Sequence, residues 1–129
     1  MRAQTSTEFI TMFMVLLAAL VIISIVSYSQ INAVGRYQFD VEVEKILSEI
    51  ELKINTAFLE GDGFIINMTL PDRIFSRDYS VGIGGNEVIL SVEGITYTKK
   101  VLTKDITGVP QKGLNTIRNE AGMIIIQKP

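Results

Sequence analysis

The sequence predicts an α+β protein, with a long N-terminal α-helix, apolar in its first half, and a small antiparallel β-sheet C-terminal domain packed on the helix's second half. Three observations carry that expectation. From Phe9 to Gly35 no residue is charged, and the run from Phe9 to Val26 is broken only by Thr11 and Ser24. From Phe39 to Phe58 apolar residues return at helical spacing. From Phe64 onward short apolar runs alternate with glycine- and proline-bearing turn signals.

The elements follow in order. Met1–Ala3 is a stub carrying one arginine. A single helix is expected from about Thr5 to about Leu59, because no proline precedes Pro71 and the one glycine on the way is Gly35. Residues 4–35 are the transmembrane or filament-core segment, apolar on all sides from Phe9 onward, which suits lipid or the core of a helix bundle rather than a protein surface, and the run is long enough to span a bilayer. The charge pattern changes at Arg36, and residues 36–60 are the amphipathic continuation. There Phe39, Val43, Ile46, Leu47, Ile50, Ile54, Ala57 and Phe58 fall on one face. Asp40, Glu42, Glu44, Lys45, Glu49, Glu51 and Lys53 stand opposite and read as a solvated surface. Gly61-Asp62-Gly63 closes the helix.

Residues 61–129 form the β-rich head. Phe64–Leu70, Tyr79–Ile83, Glu87–Val92, Ile95–Leu102, Leu114–Arg118 and Met123–Gln127 read as strands. Turn signals separate them at Pro71-Asp72, Gly84-Gly85-Asn86, Glu93-Gly94, Gly108-Val109-Pro110 and Glu120-Ala121-Gly122. The short spacings predict one antiparallel meander of five or six strands. Gly82-Ile83-Gly84-Gly85 reads as a hairpin turn, since neither a helix nor the Lys-Ser/Thr of a phosphate loop follows it. Lys99, Lys100 and Lys104 read as guards of a strand edge.

Composition narrows the function. The 129 residues carry a net charge of −2, no cysteine and no histidine. Disulfides and thiolate chemistry are excluded, and the commonest general base and metal ligand are missing. No basic face is announced for nucleic acid. No nucleophile–base pair or converging carboxylates are evident, so no catalytic activity, cofactor, metal site or nucleic-acid partner is expected.

The N-terminal string is the most specific motif. Ordinary secretory cleavage follows the apolar core at small residues, and Ser27-Tyr28-Ser29-Gln30 is a poor site for it. Gln4, Ser6, Glu8 and Phe9, placed directly before the apolar run, resemble the Q-x-S-x-E-F signature of archaeal type IV pilin-like proteins with class III signal peptides. The resemblance implies that Met1–Ala3 is a leader removed by a membrane prepilin peptidase between Ala3 and Gln4, with Gln4, Ser6, Glu8 and Phe9 as processing residues. It further implies polymerisation with identical or related pilin subunits through the helix, with Gln4, Glu8, Phe9, Phe13, Leu16, Leu17, Leu20 and Ile23 in the assembly. Glu8 would neutralise the new α-amino group of Gln4, on its own chain or on a neighbour. The implied protein is a structural subunit of an extracellular pilus, held in the cell membrane as a precursor and serving adhesion. The alternatives are a monomeric membrane-anchored extracytoplasmic domain and a pseudopilin-like secretion component.

Asn67-Met68-Thr69 fits the N-x-S/T acceptor pattern. Strand alternation predicts Ile66 and Met68 on one face and Asn67 on the other, which makes Asn67 the candidate glycosylation site.

Overall fold

The computed structural model describes residues 2–129, with side chains from Gln4 onward; Met1 and the side chains of Arg2 and Ala3, which belong to the expected leader and processing site, lie outside the described residues. The first element is one uninterrupted helix, α1 (Arg2–Glu60), as the absence of proline requires. Seven strands follow: β1 (Ile65–Leu70), β2 (Tyr79–Gly84), β3 (Glu87–Val92), β4 (Ile95–Lys100), β5 (Ile106–Thr107), β6 (Gly113–Glu120) and β7 (Met123–Gln127). The chain divides into two compact units, Met1–Gln38 and Phe39–Pro129, so the amphipathic part of α1 belongs with the strands.

Within the second unit, the helix stripe read from the sequence is the spine of the core. Val43, Leu47, Ile50, Ile54 and Ala57 are fully buried, Phe39 and Ile46 nearly so, and Phe58 packs half-buried against them. The same cluster takes in Met68 and Leu70 of β1, Val88, Leu90 and Val92 of β3, Ile117 of β6, and Ile124 and Ile126 of β7. Along β3 every second residue is buried, so the partial alternation of Glu87–Val92 resolves into a clean inner face.

The expected single meander is corrected. The strands form two sheets, one ordered β1-β6-β7-β5 and the other β2-β3-β4. Neighbours in sequence stay neighbours in space only where a two-residue turn joins them. Gly85-Asn86 links β2 to β3, Glu93-Gly94 links β3 to β4, and Ala121-Gly122 links β6 to β7. In the last two both residues have positive φ (Glu93 49° and Gly94 82°; Ala121 52° and Gly122 87°), the backbone whose twist matches that of the flanking strands. The longer links 71–78 and 101–112 impose no such adjacency. Across them β1 pairs with β6, from Ile65↔Arg118 to Leu70↔Gly113, instead of with β2.

The sequence reading also missed β5. This two-residue strand runs parallel to β7, with Ile106 opposite Ile124. It is too short to show a period. Its place depends on Gly108, at φ 89°, where a Cβ would fall 2.0 Å from the Ile126 carbonyl oxygen. The expected Ile95–Leu102 strand ends at Lys100, because the Leu102 amide turns to donate to the Asn55 Oδ1 of α1 at 2.9 Å.

The helix's C-terminal end is closed from β6. Asn119 is buried, and its Nδ2 donates to the Ala57 carbonyl at 2.9 Å, one of the last-turn acceptors left without a helical partner. Its Oδ1 accepts from the Gly122 amide at 2.9 Å, and Asp62 accepts from the Ala121 amide at 2.7 Å. One side chain thus fixes both the helix end and the β6–β7 turn.

The acidic helix face is not wholly solvated, contrary to expectation. Lys99 on β4 donates to Glu44 and Ser48 at 2.8 and 2.7 Å and lies 3.4 Å from Glu51, while Tyr97 donates to Asp40 at 2.9 Å. β4 is a sheet edge, so Lys100 can stand guard there while Lys99 reaches across to the helix. The Glu44 hydrogen bond, together with Glu51, holds the Lys99 ammonium above the ordinary lysine range. Tyr79, buried at the start of β2, donates its hydroxyl to the Pro71 carbonyl. Burial pushes its pKa up to about 12, with Asp72 and Asp78 adding to the shift.

Two outcomes follow from these contacts. Asn119→Ala leaves buried backbone acceptors and the Gly122 amide without their partner, at a cost of about 1–3 kcal/mol, read as a lower denaturation midpoint of the full chain in detergent. Tyr79 is favoured in its neutral form by the fold. Its contribution is therefore complete below pH 10, the unfolded value, and is lost as pH rises through about 12. The stability difference between the wild type and Tyr79→Phe should shrink across that window in pH-dependent unfolding.

Candidate membrane and assembly helix

The first unit is the apolar part of α1. Leucine, methionine and alanine favour the helix intrinsically, and its isoleucines and valines are tolerated. Its best 18-residue window has a mean hydropathy of 3.0, and none of that window is buried within the protein. Phe9, Phe13, Leu16, Leu17, Leu20 and Ile23 are between 47% and 71% exposed. So are their apolar neighbours on every other side, among them Ile10, Met12, Met14, Val15, Val21, Ile22 and Ile25. An exposed apolar surface of this extent is far beyond what a soluble monomer carries.

The polar groups in this stretch are handled locally. Thr11 donates its hydroxyl to the Thr7 carbonyl, Ser24 to the Leu20 carbonyl and Ser29 to the Val26 carbonyl, each at 2.8 Å. A hydroxyl bonded back to its own helix presents little cost to hydrocarbon. Every hydroxyl between Phe9 and Gly35 except that of Ser27 and Tyr28 is covered in this way.

The candidate processing residues Gln4, Ser6, Glu8 and Phe9 all lie in the opening turns of α1 and are exposed. Gln4 and Glu8 are one turn apart and share a face. Phe9, Phe13, Leu16, Leu20 and Ile23 make a second stripe, with Leu17 on its flank, centred roughly 110° around the helix from Glu8. The helix therefore brings the assembly candidates together as one stripe and sets the carboxylate beside it. Glu8 enters none of the ion pairs among the described residues.

The head offers less. A hollow lined by Gly85, Asn86, Leu102, Thr103, Lys104 and Asp105 is shallow and open. Among the described residues no group of three acidic, histidine or cysteine side chains is placed to hold a metal. Asp78 is paired with Lys112, whose hydrogen bond holds its carboxyl below the usual carboxylate range. Arg77 sits 4.7 Å over the Phe39 ring and 3.4 Å from Glu93. These are pairs that hold the head together; none converges on an open cavity. Asn67 is exposed, with Ile66 and Met68 turned to the other face, as alternation predicts. The Asn119 cap and the Lys99 clamp were not legible as sites, because each depends on a long-range pairing that single-sequence periodicity does not carry.

Placing charge in the apolar stripe should separate membrane residence from simple hydrophobic adhesion. Leu16→Arg combined with Leu20→Arg costs about 2.5–3.5 kcal/mol per arginine near a bilayer centre. The double variant should leave the pellet of an alkaline membrane extraction in which the wild type is retained. Compared with known proteins, the chain matches no family model, no curated protein and no solved structure.

Proposed function

We propose that the chain is a subunit of an archaeal type IV pilin-like filament, made as a membrane precursor and polymerised through the apolar part of α1. The observation that carries this reading is an unburied helical surface of mean hydropathy 3.0 beginning directly behind Gln4-x-Ser6-x-Glu8-Phe9. Such a surface has two possible environments outside the protein itself: lipid, or other helices of the same kind. A filament subunit uses both in turn.

In this reading a prepilin peptidase removes the first three residues and Gln4 becomes the new N-terminus. Glu8 stands in the membrane helix, where an unpaired carboxylate costs several kcal/mol. The α-ammonium of Gln4, on the same chain or the next, is the cation that offsets it. Because the two groups are four residues apart, pairing across subunits fixes an axial register between helices. The Phe9–Ile23 stripe then replaces lipid contacts with helix–helix contacts, and a head-to-tail contact that does not close generates a helical polymer. The head, with its own core and charged surface, stays in water and supplies any adhesive specificity.

The test is made on cells that express the chain. Sheared extracellular material should contain thin filaments whose subunit begins at Gln4, measured as the mass of its N-terminal peptide. Glu8→Gln should abolish or sharply reduce filaments while leaving the chain in the membrane. A full-length chain with Met1 retained, confined to the membrane fraction, would overturn the reading and leave a membrane-anchored extracytoplasmic domain in its place.

A further inference from the structure

We propose that Asn67 is an N-linked glycosylation site, modified on the outer face of β1; this rests on the export of the head put forward above. Of the chain's six asparagines, Asn67 alone is followed by x-Thr, with Met68 between. Exposure is shared by Asn32 and Asn86, which lack the motif, whereas the fold occupies the other three. Asn115 and Asn119 are buried and spend their amides on backbone groups, Asn115 on Gln111 and Gly113 and Asn119 on Ala57. Asn55 is tied to the Leu102 amide. Asn67 is exposed on a strand that ends its sheet.

The local geometry suits an acceptor. Thr116, directly opposite on β6, donates its hydroxyl to Asn67 Oδ1 at 3.2 Å, which orients the amide and leaves Nδ2 turned away from that bond. Thr69, two residues on, is exposed on the same face as Asn67. Across the sheet the row continues through Thr116 to Gln127, a polar line that a sugar can lie against without displacing apolar side chains. Inward, Met68 and Leu70 fill the core, so a substituent on Asn67 meets neither.

The edge itself gives the modification a purpose. Of the four sheet edges, β4 carries Lys99 and Lys100, β5 is only two residues long, and β2 (Tyr79–Gly84) is uncharged but is broken by Gly82 and Gly84. β1 is a six-residue edge, Ile65–Leu70, with no charge and no proline, the kind of edge that invites pairing with another chain. A bulky hydrophilic group at its middle blocks that approach.

In the transfer, Asn67 Nδ2 forms a bond to the anomeric carbon of an oligosaccharide activated as a lipid-linked phosphate or pyrophosphate ester. The bond from that carbon to the phosphate oxygen breaks, the phosphate leaves with the electron pair, and the amide gives up one proton.

The test uses the full chain from its own cells. Protease added to intact cells reports whether the head is outside, and the mass of the tryptic peptide 54–73, which contains Asn67, reports the modification. The expected result is an exported head whose peptide carries a glycan mass increment, lost completely in both Asn67→Gln and Thr69→Ala. An exported head with the bare peptide mass overturns the glycan proposal and leaves the filament reading standing. A head protected inside the cell overturns the filament reading, and the glycan with it.

Discussion

The head is organised by one act of burial, that of the helix stripe from Phe39 to Ala57. Two sheets of four and three strands each have one apolar face to hide against another element. Val43, Leu47, Ile50, Ile54 and Ala57 provide the common partner, each with no exposed surface. Because the stripe repeats over five turns of helix, it offers more length than one short sheet can cover. The second sheet takes up the remainder. Contacts at the margins then pin the arrangement: Lys99 and Tyr97 to the helix flank, Asn119 to its end.

The same helix faces the opposite problem over its first part. There the stripe widens to the whole circumference, and its apolar side chains are exposed among the described residues. Three hydroxyls, those of Thr11, Ser24 and Ser29, bond back to the helix itself, and the one charged group between Gln4 and Gly35 is the Glu8 carboxylate. A helix that satisfies its own backbone and carries a single charge is suited to moving between lipid and a bundle, since neither environment has to supply backbone partners. The remaining charge then selects which neighbours, and at what height, can be accepted.

The helix, its burial stripe and the strand positions were legible because each has a period. The eight residues read as the inner stripe are buried or half-buried in the order expected, and the strand limits move by only one or two residues at most ends. What was not legible was which strand pairs with which across a long link. Glu93-Gly94 and Ala121-Gly122 dictate adjacency through their backbone, whereas the links 71–78 and 101–112 leave it to side chains far apart in sequence. β5 depends on one glycine approaching the Ile126 carbonyl, a contact that leaves no pattern around it. On the candidate assembly helix the sequence located the stripe and the carboxylate. Their role rests on the motif, since a lone apolar helix carries no record of its neighbours.

One turn differs from the others in kind. Phe75 and Ser76 both hold positive φ, 46° and 65°, with no glycine to ease it, and the turn is closed by reciprocal backbone bonds between Ile74 and Arg77. Left-handed backbone at non-glycine residues costs on the order of 1–3 kcal/mol each. Ile74, nearly fully buried, and Arg77, stacked on Phe39, hold it shut. Tension is thereby stored where the core meets its first helical turn, and heating should spring this latch before any sheet comes apart, laying Phe39 and Ile74 open while the ladders on both sides remain zipped.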